Sequence, residues 1–221
     1  MKALLDTYGA LLLKAIGTHI VYSAISVAIG FVLGLALGIL LSRVPRLSGV
    51  LFPVISIFQT IPGLVFIGLL FLWLGMVPAA VIAALSVYAM FPVLKNTYTG
   101  LLGVEKKYIE AAKGCGMSPA QSLFKVELPL ALPCIMAVLR MAAIYTVSWA
   151  VLASMIGLGG LGDFVYQGTS SNNNTLILLG AVPAAVLAIA FGQKTLTVEV
   201  LAVAEAVRKD DASAMYREIA G

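Results

Sequence analysis

The sequence predicts an all-α integral membrane protein with about five transmembrane helices, and three observations carry that prediction. Of the 221 residues, 61% are apolar and only 11% are charged, far outside soluble composition. The apolar residues form runs of the ~20 residues that a helix rising ~1.5 Å per residue needs to cross a ~30 Å hydrocarbon core. The cationic residues fall between those runs on alternate connections, so one face of the membrane collects nearly all of them. Lys and Arg outnumber Asp and Glu by 14 to 10, a balance that would suit nucleic acid or membrane. The apolar runs decide for membrane lipid and against nucleic acid. Cys115 and Cys134 are too few for a disulfide framework and are expected as reduced thiols.

The first span is expected at Gly17–Leu41. Lys2 before an apolar stretch suggests a secretory signal, but the uncharged run 15–42 is too long for one and its basic flank, Arg43 and Arg46, comes after it. The run is therefore read as a retained helix. Gly30, Gly34 and Gly38 recur every fourth residue and present one face without side chains, a seam on which another helix can pack. His19 has no metal-ligand partners at useful spacing and is expected at the outer interface.

The second span is expected at Leu51–Leu74 and the third at Pro78–Leu94. Within the second, Gln59-Thr60-Ile61-Pro62-Gly63 places polar side chains, a missing amide donor and a glycine at membrane depth. Lipid does not tolerate such a break, so it marks either a helix kink against protein or the lining of a pathway. The fourth span is expected at Cys134–Ile156 and the fifth at Leu176–Gly192. Arg140, within two turns of the start expected for the fourth, either snorkels to headgroups as an anchor or contacts substrate. After that span, Gly157, Gly159, Gly160 and Gly162 precede Asp163, and Ser170 to Asn174 continues as a polar loop. The positive-inside rule then puts the N-terminus outside and the C-terminus in the cytoplasm.

Between the third and fourth spans, residues 95–130 form a connection far longer than chain closure requires. Glu105 to Gly114 suits a helix that Gly114 and Gly116 end, and Ser118-Pro119-Ala120-Gln121 reads as the cap and first turn of a second short helix. Two short amphipathic helices would lie across the cytoplasmic face. The chain shows no phosphate-binding loop, no paired metal ligands and no nucleophile elbow, so it is expected to catalyse nothing and to bind no metal.

Glu110-Ala111-Ala112, then Gly116, then Val126-Glu127-Leu128-Pro129 resembles the EAA loop of the permeases of binding-protein-dependent ABC importers, with Val126 where that family favours isoleucine. Gln59 to Leu64, Ile156 to Asp163 and Leu139 to Ala142 look like its osmoprotectant branch. The resemblance implies a type I ABC importer permease fold with cytoplasmic coupling helices, on a single permease domain 1–221 in a bacterial cell membrane. It implies that Glu110, Ala111, Ala112, Gly116, Val126, Leu128 and Pro129 form the ATPase coupling loop. ATP and Mg would sit on separate cytoplasmic ATPase subunits and no cofactor on this chain. The other implied partners are a second permease copy or paralogue and an extracytoplasmic substrate-binding protein.

The cargo implied is glycine betaine, carnitine or choline, with another small amine or an amino acid as the alternative; a passive channel or a scaffold subunit is the rival of another class. Gln59, Thr60, Pro62, Tyr145 and Trp149 are the candidate pathway residues. With Tyr88, these aromatics would suit a quaternary ammonium cage, although packing or an interfacial belt is the commoner use of such rings. The C-terminal extension, about 193–221, departs from the branch, which ends soon after its last span. Glu205 with Arg208 and Lys209 there has the spacing of a helix emerging into water.

Overall fold

The computed structural model describes residues 2–155 and 157–220, with side chains described for residues 7–44, 46–155, 157–198, 200, 201 and 204. These residues form α1 (Lys2–Arg43), α2 (Pro45–Thr60), α3 (Gly63–Leu74), α4 (Pro78–Leu102), α5 (Lys106–Gly114), α6 (Pro119–Ser122), a π-helical turn (Leu123–Glu127), α7 (Leu128–Ser154), α8 (Leu161–Ser170) and α9 (Asn174–Ala220). Four stretches among them are long and apolar enough to cross a membrane: Thr7–Arg43, Pro78–Leu102, Pro119–Ser154 and Asn174–Val198. The bent pair α2–α3 makes a fifth if it is taken as one span.

The first and third expected spans pack on each other along the glycine seam. A Cβ at Gly34 would lie 2.6 Å from the Met90 carbonyl oxygen, one at Gly30 2.8 Å from that of Ser86, and one at Gly38 2.9 Å from that of Leu94. The obstacles are the backbone of α4 and the Cβ atoms fixed to it at Ala89, Val93 and Thr97, so only hydrogen fits. Ser26 adds a hydrogen bond across the seam, its hydroxyl donating to the Ile82 carbonyl at 3.2 Å.

The second expected span starts earlier, at Pro45 rather than Leu51, and is interrupted where the polar break was read, as two helices meeting at 96°. Pro62 has no amide to donate and pushes the residue before it out of helical geometry, and Ile61 sits at φ −69, ψ 125. At ~1.5 Å per residue, α2 is roughly 24 Å long and α3 roughly 18 Å, so neither crosses a bilayer core alone.

The fourth span is corrected as well. Instead of a second short helix followed by a span from Cys134, α6, the π turn and α7 run on as one rod, Pro119–Ser154. Its start is a complete capping box: the Gln121 backbone N–H donates to the Ser118 hydroxyl at 3.3 Å, and the Ser118 backbone N–H donates to the Gln121 side chain at 2.8 Å. Arg140, half-buried, therefore lies further along the rod than the start at Cys134 implied.

Two further features depart from expectation. His19 is not interfacial: it is 1% exposed, and its Nε2–H donates to the Val147 carbonyl at 3.1 Å, tying α1 to α7. The stretch expected as glycine loop and polar tail contains α8, whose Leu161, Phe164 and Gly168 turn inward against the early part of α1 and α9. The extension after the fifth span is helical, as expected: α9 continues through Ala220, while the spacing of Glu205 with Arg208 and Lys209 lies outside the residues with described side chains.

Candidate functional site

At the end of the molecule rich in lysine, α5 closes in a turn that needs glycine. Gly116 has φ +74, its N–H donates to the Lys113 carbonyl at 2.9 Å, and the Met117 N–H reaches back to the Ala112 carbonyl at 3.0 Å. This is a Schellman motif, in which a left-handed residue lets two otherwise orphaned carbonyls be satisfied. Glu110, Ala111 and Gly116 are exposed, so the outer side of α5 is open to another protein. Ala112 is turned the other way. It is only 4% exposed, with α5 packed on α6 and the π turn. Val126, Leu128 and Pro129 are half-buried on the rod that begins at Pro119.

A residue without an expected role joins this end together. Glu127, nearly fully buried, accepts from Arg43 Nη2 at 2.6 Å and from the Ser122 hydroxyl at 3.0 Å. Arg43 ends α1, so the carboxylate clamps the start of α7 to the end of the first span. The π turn just before α7 inserts an extra residue into the helix and resets which side chains face inward, as such turns do at functional sites. The only sequence signal was a lone carboxylate in an apolar Val-Glu-Leu-Pro segment. Its partner stands 84 positions away, which local spacing cannot reveal.

The broken second span meets α4 and α7 at a cluster of rings. The Tyr88 hydroxyl donates to the Ile61 carbonyl at 2.7 Å, satisfying an acceptor that the break would leave open. Trp149 stacks on Tyr88 with centroids 5.3 Å apart and planes 12° apart, and Phe66 stands edge-on to Tyr88 at 5.7 Å. The far side of the Trp149 ring occupies the place where a side chain at Gly63 would be. Beside this cluster lies a cavity of about 280 Å³ lined by Gln59, Tyr88, Tyr145, Thr146 and Trp149, with Pro92 and Ala142 completing the wall. The structure thus brings Gln59, Tyr145 and Trp149 together. Thr60 is exposed and its hydroxyl donates to the Ile57 carbonyl at 2.7 Å, while Pro62 caps α3; neither lines the cavity.

With this geometry in place, comparison with known proteins decides the family. Residues 30–199 match the family described as binding-protein-dependent transport system inner membrane component. The chain belongs to that family. The choline transport system permease protein OpuBB of Bacillus subtilis is 42% identical to this permease over 91% of this chain and 90% of its own. The glycine betaine/carnitine/choline transport system permease protein OpuCB of the same organism is 40% identical over 86% of this chain and 87% of its own. Among solved structures, a chain of the MetNI methionine ABC transporter superimposes with a TM-score of 0.80 at 24% identity, covering 89% of this chain and 98% of that one. A chain of an amino acid ABC transporter gives 0.70 at 19% identity, over 91% and 96%. The fold is that of type I ABC importer permeases.

The glycine-rich end of this permease, opposite α5 along α7, is knotted rather than loose. Gly157, Gly159 and Gly160 have φ of +92, +80 and +118, a region that side chains disfavour. The Ser154 hydroxyl accepts from the Gly162 N–H at 2.7 Å, and the Tyr22 hydroxyl donates to the Leu158 carbonyl at 3.2 Å. Burial pushes the Asp163 carboxyl above the ordinary aspartate range, an effect partly offset by the Gly159 backbone N–H that donates to it.

Proposed function

We propose that this permease pairs with a second copy or a paralogue to form the membrane pathway of an ATP-driven importer for a quaternary ammonium solute such as glycine betaine, carnitine or choline. ATP hydrolysis belongs to cytoplasmic subunits that receive α5. An extracytoplasmic binding protein delivers the solute at the glycine-rich end, with the N-terminus outside and the C-terminus in the cytoplasm. The observation that carries the reading is the coupling end: an exposed helix ended by Gly116 sits on a rod that Glu127 clamps to α1 and that reaches Trp149 at the broken span. Closure of the ATPase subunits displaces α5, the rod carries the displacement ~45 Å at ~1.5 Å per residue, and the elbow between α2 and α3 changes its packing. The ligand that biases these two states binds the partner, the form that allosteric coupling takes. The solute class follows the permeases named above.

Reconstitution of the permease with its ATPase and binding protein tests this reading. ATP-dependent uptake of labelled glycine betaine, choline or carnitine is expected, with methionine not taken up. Gly116→Val forces a β-branched residue to a positive φ and should abolish uptake and substrate-stimulated ATP hydrolysis while membrane abundance stays at wild-type level. Absence of uptake of all three solutes, or wild-type coupling in Gly116→Val, sinks the proposal.

A further inference from the structure

We infer that the cavity between α2, α4 and α7 is itself a binding site for the quaternary ammonium head of the solute, so that the permease recognises its cargo after the binding protein has released it. The inference rests on the proposed import function and adds a site to it. Three of the cavity's lining side chains are aromatic, and none of the lining residues carries a charge. That combination discriminates among cations. A primary ammonium brings three N–H donors that demand acceptors, commonly a carboxylate, when it leaves water. A quaternary ammonium has no donor, spreads its charge over methyl groups, and is held by the faces of Tyr and Trp rings alone.

The polar groups at the cavity are arranged for the remainder of such a molecule. The Tyr88 hydroxyl is committed to the Ile61 carbonyl and the Thr146 hydroxyl to the Ala142 carbonyl, each at 2.7 Å, so neither donates into the cavity. Gln59 keeps a carboxamide there, able to meet the carboxylate or hydroxyl at the other end of a small betaine or amino alcohol. Tyr145 lines the same wall and is 54% exposed, so its ring is held by little packing and is open to a ligand. At about 280 Å³ the space falls just below the usual range of about 300–1,000 Å³ for small-molecule sites, suited to one small solute. The cavity also adjoins the elbow that Tyr88 and Trp149 hold, so a bound cation contacts the same rings that fix the break.

The test uses the intact complex of this permease with its ATPase, without binding protein. Saturable binding of radiolabelled choline is expected. The uncharged analogue in which carbon replaces the quaternary nitrogen should compete about tenfold more weakly, because the attraction to the rings is electrostatic. Tyr145→Leu should weaken choline binding by about tenfold, whereas Tyr145→Phe, which keeps a ring face, should bind within about threefold of wild type. Equal competition by the uncharged analogue, or unchanged binding in Tyr145→Leu, overturns the inference. So does the absence of choline binding in a complex that transports choline once the binding protein is supplied; that result leaves the import function standing. The converse, choline bound as expected with no quaternary ammonium solute taken up by the full importer, sinks the import function and with it the cavity's role in cargo recognition, leaving only a quaternary ammonium site.

Discussion

Gly34 on α1 and Gly63 at the start of α3 both exclude a side chain, but what stands in the way differs. At Gly34 the obstacle is the Met90 carbonyl oxygen at 2.6 Å, part of the α4 backbone. At Gly63 it is the ring of Trp149, the far end of a side chain. A helix backbone cannot yield without separating two spans, whereas a ring moves whenever its own helix turns or shifts. The first contact builds a fixed pair, α1 with α4. The second builds a joint between the broken span and the rod that starts beside α5. The surroundings agree: the seam is lined with buried residues of α4, while Leu72 and Trp73 near the end of α3 are mostly exposed, Trp73 at 88%.

One substitution at the two sites sharpens this contrast most. Gly34→Ala should drive α1 from α4 and cost about 1–3 kcal/mol, the usual range for overpacking, seen as a lower melting temperature of the purified permease. Gly63→Ala should cost less than half of that and should instead reduce transport. A loss of stability at Gly63 as large as that at Gly34 would mean that the elbow is as fixed as the seam.

A comparable effect is expected where the rod is clamped. An exposed ion pair contributes about 0–1 kcal/mol, and removing one partner of a fully buried pair costs about 3–5 kcal/mol. In the Glu127–Arg43 pair one side chain is nearly covered and the other is about half exposed, so Glu127→Gln should cost about 2 kcal/mol. Its more telling effect is on coupling: ATP hydrolysis should continue while substrate-stimulated transport falls. Wild-type transport in Glu127→Gln would show that the clamp only supports the fold.

The same contrast explains what could be read in the sequence. The spans and the glycine seam were legible because apolar length and a four-residue repeat are local properties of the chain, and Gly116 was legible because a left-handed turn after a helix wants glycine. The elbow was legible only as a break. Proline removes a donor and favours an extended residue before it, but the angle is set by Tyr88 and Trp149, which arrive from other helices. His19 and Glu127 were misjudged or missed for a related reason: their partners, the Val147 carbonyl and Arg43, are distant in sequence. The helix start at Pro119 was read from its cap, but not that this helix runs on through the π turn into the fourth span. Gln59, Tyr145 and Trp149 were picked out as candidates together with Thr60 and Pro62, and only folding shows which of the five line one cavity.

Cys115 follows α5 as its C-terminal cap, next to Gly116, and is exposed. Cys134→Ser leaves it as the single thiol of the chain. In the assembled importer, with ATPase subunits and binding protein present, a photoactivatable reagent on Cys115 should cross-link to the ATPase subunit, and the yield should change between nucleotide-free and ATP-bound states. Cross-linking to the binding protein, or no adduct with the ATPase in either state, would contradict the assignment of this helix as the coupling element.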